Sequence, residues 1–401
     1  MLSLEDAQQR ILSAVLPLAP AVLPLAQSAG RFLATDVSSP IHLPPFDNSA
    51  MDGYALISAD IASASETTPT PLRMIGKTAA GAVFEGQVTP GTCVRVFTGS
   101  PLPSGADAVV MQEDTTIDPA KPDTLFVRDR ARPWENVRLK GEDVKSGSTI
   151  AQAGDRLTFG RLSLLAATGF ASAHVHRAPT VALIATGSEL REGGQDLNPG
   201  QIFESNRVGL GALVAAAGAT PNIHAIVPDS LEATEDCLRA ALESSDVVIT
   251  SGGVSVGEFD HVKHAFENLG GTLDFWRVAI RPGKPFVFGQ WKNKCLFGLP
   301  GNPVSAMVTF LLLARPALLK MQGAREFGLR AQPGLLTTEI INRGDRRHFV
   351  RVTLQDDGTV VSAGLQGSHA LSSLATANGL IDAPPKGGFR SGATVQVLRW
   401  D

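Results

Sequence analysis

DVVITSGGVSVGEFDHVKHAFENLGG, residues 246–271, runs from an apolar strand through a glycine-rich loop into a helix. Residues 246–250 read as a strand. Residues 260–269 have helical spacing and stop at paired glycines. The same order recurs on both sides. Residues 181–185 read as a buried strand, 206–217 as a helix stopped by Gly218, 223–227 as a strand and 231–242 as a helix. Strands follow near 273–278, 286–289 and 294–298, then a helix from Pro303. Alternating strand and helix with short loops predicts an open, mostly parallel α/β sheet with helices on both faces.

The flanks read differently. Residues 1–28 read as helix: Leu4, Ile11, Val15 and Leu18 form a stripe before Pro17, Pro20 and Pro24 break it. Residues 30–177 are mostly short strands, among them 94–98, 108–112 and 124–127, with helical spacing only at 156–170. Residues 327–401 return to β, with FVRVTLQDDGTVVSA (349–363) reading as a hairpin with an Asp-Gly turn. No repeat of fixed period is visible.

At 401 residues the chain exceeds one hydrophobic core. Apolar content of 43% and charged content of 18% are those of a globular protein. The formal charge of −4 and the absence of a basic run argue against nucleic acid as a partner. Cys93, Cys237 and Cys295 are scattered and odd in number, which favours a reducing cytoplasm over a disulfide framework. The start MLSLEDAQQR lacks the apolar run of a signal peptide. The apolar stretch 304–314 is too short to span a bilayer, so no membrane is expected.

In open α/β sheets, ligands bind beyond the carboxyl ends of the strands. Three junctions there draw notice: ATGSEL (185–190), TSGGVSVGEFDHVK (250–263) and LPGNPVSAMVTF (299–310). Ser251, Gly252, Gly253, Ser255 and Gly257 leave amides free to face an anion. Pro300, Gly301, Asn302 and Pro303 make a stiff loop, with Pro303 at the first helical position and Asn302 as cap. A tight structural turn explains any one of them; three on one sheet edge favour an anionic ligand. Glu189, Asp229, Glu258 and Asp260 stand beside them and suit a hard divalent cation on a phosphorylated ligand. Helix capping is the alternative for Asp229.

RPGKP (281–285) sets Arg281 and Lys284 on a rigid turn, with Arg277 four residues earlier. GDRRHFVRV (344–352) and QGSHALSSLATANGLI (366–381) supply Arg346, Arg347, His348, Arg351, Ser368, Ser372 and Ser373. Guanidinium groups with hydroxyls suit a tetrahedral oxyanion, and solvated basic strands are the alternative. DNSAMDGYA (47–55), with Asp52-Gly53, and FTGSPLPSGADAVVMQED (97–114), with Thr98 and Ser100, read as turn chemistry. GED (141–143) reads as a polar loop. No histidine spacing makes a metal set, and neither a Walker A nor a GxGxxG string is present.

Together these segments resemble the molybdopterin molybdenumtransferase family, also known as MoeA, which includes the C-terminal part of gephyrin. The strings that carry the resemblance are PPFDNSAMDGYA, FTGSPLPSGADAVVMQED, GEDV, ATGSEL, SNRVGL, SGGVSVGEFDHVK, RPGKPFVFG, LPGNPVSAMVTF, FVRV and GSHALSSLATANGLI. They stand in family order over essentially the whole chain. The resemblance implies a multidomain α/β plus β protein in four domains. These are a helix-containing N-terminal domain (1–44 and 138–177), a β-rich insertion (45–137), a three-layer α/β domain (178–326) and a C-terminal β-barrel (327–401).

The resemblance further implies a cytoplasmic homodimer whose cleft is completed across the dimer. The reaction would cleave the pterin–AMP phosphoanhydride of adenylylated molybdopterin and insert molybdenum from molybdate. Magnesium, or else zinc, would assist, and contact with the adenylyltransferase and with downstream cofactor-handling proteins would be transient. Carried over by matching position, Glu189, Asp229 and Asp260 would hold metal or ligand. Ser251, Gly252, Gly253, Ser255, Pro300, Gly301, Asn302 and Pro303 would hold nucleotide and phosphate. Arg277, Arg281, Pro282 and Lys284 would hold pterin phosphate or molybdate, with Ser305, Arg351, Ser372 and Ser373 at the molybdate. Asp52, Thr98 and Asp143 match functional positions on neighbouring domains. Many members carry Lys where Arg277 and Arg281 stand here, and an acid where Ser188 stands. The alternatives are an adenylyltransferase built on the same α/β domain, or a cofactor-binding scaffold.

Overall fold

The computed structural model describes residues 1–253 and 261–400. Its centre is a six-stranded sheet. Across the sheet run Thr220–Ile223, Thr180–Ala185, Val247–Ser251, Lys294–Leu299, Val287–Trp291 and Thr272–Trp276. The first four are parallel; Val287–Trp291 is antiparallel to both its neighbours.

Side chains alternate between two cores because successive residues of a strand point to opposite faces. Leu183, Ile249 and Phe297 pack with Leu210, Val214 and Val308. Ala182, Val248 and Leu296 pack with Leu238, Leu242 and Phe266 on the other side. Each buried large apolar side chain contributes about 2 kcal/mol before entropy is counted. The expected three layers are therefore present.

Pro303–Met321 is one continuous helical stretch. By length and apolarity it could cross a membrane, but most of it is buried inside the molecule, as a core helix is. Its middle, Phe310–Ala314, widens to a π-helical turn. Pro316 cannot donate a backbone hydrogen bond back to the preceding turn. Gln8 Nε2 instead donates to Leu312 O at 2.8 Å.

Two expectations are corrected. The N-terminal helix covers Leu4–Ala14, not 1–28. Ser3 caps it by accepting from Asp6 N. The chain then forms the strand Pro20–Pro24, paired antiparallel with Ser172–His176, because the spaced prolines exclude helix. Leu4, Ala7, Ile11 and Val15 lie in the same core as Phe310 and Leu313, so this helix packs on the α/β layer. The strand expected at 223–227 is Thr220–Ile223 instead. Val227 makes one bridge to Thr186 and is apolar because it packs in the second core. Pro221 is tolerated because its strand lies at the sheet edge.

The N-terminal half carries a second six-stranded sheet. Its strands in spatial order are Ala108–Met111, Gly53–Leu56, Thr92–Val96, Thr70–Thr78, Thr124–Val127 and Thr115–Ile117. Asp52 precedes it in a bend, but Gly53 is strand rather than turn. A Cβ on Gly53 would stand 2.0 Å from Val110 O.

At the C-terminus, Arg347–Leu354, Thr359–Ser362, Arg330–Leu336, Thr394–Arg399 and Gly379–Ala383 pair in sequence. Gly379–Ala383 pairs back to Arg347–Leu354, which closes a barrel. The expected hairpin is there, with Gly358 at φ +81°. Ile280–Arg281 adds to the barrel in parallel beside Arg347 and His348, which ties the RPGKP turn to it.

Gly53→Ala is expected to cost about 2–3 kcal/mol, because the new methyl group meets a neighbouring backbone carbonyl that has little room to move. Urea unfolding measures it; a cost under 0.5 kcal/mol would show that the two strands separate freely.

Candidate active-site cleft

The three glycine- and proline-bearing junctions open into one cleft of about 640 Å³. Its walls include Gly187 and Glu189, then Ser251, Gly252 and Gly253, then Pro300, Gly301, Asn302 and Pro303, with Asp229 alongside. All sit at carboxyl ends of parallel strands or just beyond them.

Backbone approach shapes the floor. Gly252 and Gly253 have φ of +93° and +67°. A Cβ on either would lie within 3 Å of a Thr186 oxygen. A Cβ on Gly301 would stand 3.7 Å from Gly252 Cα, so the two loops touch. Only glycine combines that conformation with that proximity.

Asn206 ties the loops together. Its Nδ2 donates to Ser251 Oγ at 2.6 Å and to Gly301 O at 2.7 Å. Its Oδ1 is buried without a partner among the described residues, and so are the hydroxyls of Thr186 and Thr250. Buried polar atoms left unpaired are costly, and Asn206 and Thr186 both line the cleft. They suit hydrogen-bonding groups on a ligand. In the sequence Asn206 stands out as the first residue of a helix and as part of the SNRVGL string, with no site role attached.

The next residue, Arg207, is buried and pairs with Glu204 and Glu192. Its Nε stands 2.9 Å from Glu204 Oε2. Glu204 lines the cleft, and the pairing holds this segment against the helix start.

Asp229 does not cap the following helix. Ser230 does, accepting from Ala233 N at 3.1 Å. Asp229 Oδ2 accepts from Ser188 N at 2.9 Å, and Ser188 Oγ accepts from Asp229 N at 3.0 Å. Ser188 thereby joins two cleft loops. Glu189 lies back over Gly187, where a Cβ would meet its carboxylate at 2.6 Å. Asn302 occupies the N-cap position without a side-chain cap bond, so its amide remains available.

Basic groups lie on the barrel side. Pro285 lines the cleft. Pro282 is buried and Gly283 packs on Thr309, so the turn rests on the helix that carries buried Ser305. Arg281 and Lys284 are exposed there. Arg277 is half-buried, at φ +99°.

Arg351 is fully buried. It donates to Ser373 Oγ, Leu365 O and Gly367 O, while its Nη1 has no partner among the described residues. The segment it holds reaches the cleft: Val304 N donates to Ser368 O at 3.1 Å, and Leu371 lines the wall. Ser372 is exposed.

The remaining candidates stand elsewhere. Asp52 accepts from Thr98 N and Thr98 Oγ1, and these bonds hold its carboxyl below the usual range. Neither residue lines this cleft, and neither does Asp143, which is exposed. Ser255, Gly257, Glu258 and Asp260 lie outside the described residues. Among the described residues no three His, Cys, Asp or Glu side chains form a metal cluster.

Asn206→Ala removes both ties between the loops. It is expected to destabilise the fold by about 1–2 kcal/mol in urea unfolding. Unchanged stability would mean the loops hold themselves.

His348 is buried against the barrel. Burial, with Arg281 and Arg351 nearby, pulls its imidazole down to about 4 from 6.5. As pH falls, the unfolded chain takes up this proton first, so stability present above pH 6.5 is lost between about 6.5 and 4. The drop in Tm from pH 7.5 to pH 5 should be several degrees smaller in His348→Gln than in the wild type. Equal drops would exclude this histidine as a cause.

Comparison with known proteins agrees with this architecture. Residues 2–169 match the MoeA N-terminal region (domains I and II). Residues 182–320 match a probable molybdopterin-binding domain, and 333–400 the MoeA C-terminal region (domain IV). The chain is 37% identical to molybdopterin molybdenumtransferase of Haemophilus influenzae, across 99% of this chain and 98% of the relative. It is also 37% identical to molybdopterin molybdenumtransferase 2 of Mycobacterium tuberculosis, with full coverage of both. A crystal structure of the molybdopterin biosynthesis protein MoeA from Pyrococcus horikoshii superposes with a TM-score of 0.85 at 30% identity, covering 99% of each chain. A chain with these four parts in this order, alike from end to end, belongs to the MoeA family of molybdopterin molybdenumtransferases.

Proposed function

We propose that the chain inserts molybdenum from molybdate into adenylylated molybdopterin, cleaving the pterin–AMP phosphoanhydride to give molybdenum cofactor and AMP. The observation that carries this reading is the single cleft. Glycine-shaped loops meet the acids Glu189, Glu204 and Asp229 there at one sheet edge, and Pro285 of the RPGKP turn joins the wall.

The division of labour follows the chemistry. Amides of Ser251, Gly252, Gly253 and Ser255, with the Pro300–Gly301–Asn302–Pro303 loop, hold the nucleotide and its phosphate. Arg277, Arg281, Pro282 and Lys284 form the rim for the pterin phosphate. Arg351, with its unpartnered Nη1, Ser305, Ser372 and Ser373 serve the molybdate. No side-chain nucleophile is needed where positioning and charge stabilisation dominate.

The acids that line the cleft offer only oxygen donors, as magnesium prefers; zinc favours nitrogen and sulfur. Glu189, Asp229 and Asp260 would hold the magnesium ion. When bound, it offsets the charge of the departing phosphate.

Asp52, Thr98 and Asp143 lie away from the cleft of their own chain. This supports a homodimer in which a second copy brings them to it. The protein works in the cytoplasm, beside the adenylyltransferase that supplies its substrate and the proteins that take up its product.

AMP release from adenylylated molybdopterin, followed with and without molybdate, tests the reading. Release should require both molybdate and magnesium, and should fall about 100-fold in Asp229→Asn with the fold intact. Production of adenylylated pterin from ATP would favour the adenylyltransferase instead. Unaltered cofactor binding with no turnover under any condition would favour a scaffold.

A further inference from the structure

A cavity larger than the catalytic cleft lies elsewhere in the molecule. It measures about 1240 Å³ and lies where the N-terminal part, the long core helix and the barrel meet. Six arginines line it: Arg156, Arg161, Arg315, Arg325, Arg330 and Arg399. The acids in its wall are Asp155 and Glu326. Arginines therefore outnumber acids in the lining, in a chain whose net charge is −4.

Asp155 is committed to Arg161, at 3.4 Å. Among the described residues, Arg156, Arg315, Arg325 and Arg330 form no ion pair. Arg156, Arg315 and Arg325 are held by neutral acceptors. Arg315 Nη1 donates to Phe327 O and Gly328 O, at 3.1 and 3.2 Å. Arg325 Nη1 donates to Gln152 Oε1 at 2.9 Å, and Arg156 Nε to Gly30 O at 3.3 Å. Arg330 stands in register opposite Arg399 in the barrel sheet. Arg315 is half-buried beside Arg156, and burial and that neighbour's charge both pull its pKa down.

Such crowding opposes folding unless an anion offsets it. Guanidinium forks fixed by carbonyls keep their remaining N–H groups aimed and match phosphate oxygens. One phosphate would neutralise part of the excess, whereas a triphosphate carries about four charges near neutral pH. We propose that this junction cavity is a second anion site, separate from the catalytic cleft, that takes a triphosphate group. The group comes either as inorganic polyphosphate or as part of a nucleotide whose base would lie on the half-buried Phe327 and Trp400 in the same wall. Because the arginines come from three parts of the chain, the occupant would also clamp the barrel to the α/β layer.

The test titrates the full-length chain by calorimetry with inorganic triphosphate and with ATP, in the presence of excess AMP to fill the catalytic cleft. Wild type should bind triphosphate, and the pair Arg156→Gln with Arg330→Gln should bind it at least tenfold more weakly. Both side chains are exposed, so the variant is expected to fold, which circular dichroism checks. Its molybdate-dependent AMP release should equal that of wild type. Arg156→Lys with Arg330→Lys should recover part of the affinity. ATP binding more tightly than triphosphate identifies a nucleotide; equal affinity identifies the polyphosphate group alone. No binding, binding that survives the glutamine pair, or binding abolished by AMP would each overturn the proposal.

Discussion

Two loops meet backbone to backbone at the edge of the central sheet, and the catalytic cleft is built on that contact. Gly252 and Gly301 approach so closely that the space between them admits little beyond a methyl group. Thr186 lies beneath Gly252 and Gly253, which adopt a conformation that other residues rarely take. Asn206 then fixes the separation with one short hydrogen bond to each loop. Amides can face an anion here because no side chain fills the gap.

The barrel is tied to the cleft side of the α/β layer by strand pairing and hydrogen bonds. Ile280–Arg281 joins its sheet, and Val304 N donates to Ser368 O. These contacts carry Arg351 and the RPGKP turn toward the α/β rim. A fully buried guanidinium with one unpartnered nitrogen is expensive, and so is a buried imidazole pulled far below its ordinary pKa. Such costs mark places where structure yields to function. The same logic applies at the junction cavity, where arginines outnumber carboxylates.

Much of this was legible from the chain. The 3.6- and 2-residue periodicities of the middle third foretold a parallel sheet with helices on both faces. Its inner strands alternate between two cores as such strands must. The three loops stood out because glycine and proline limit backbone conformation locally, and they do share one cavity. Less legible was anything set by distant packing. The first helix ends at Ala14 because the prolines after it turn the chain into a strand whose partner, Ser172–His176, lies far along the chain. Asn206 was invisible as a site residue, since its role depends on two loops that fold toward it. Asp229 was read as a possible cap until Ser230 proved to fill that place.

By itself, then, the sequence determined the elements, the loop conformations and the kinds of group available, because these follow from local steric limits and from which side chains avoid water. Only the tertiary structure decided which groups share a cavity, which charges lose their counterions and which acids stay clear of the cleft. Those outcomes depend on strand order and on contacts between residues far apart in the chain, and no local pattern encodes such distances.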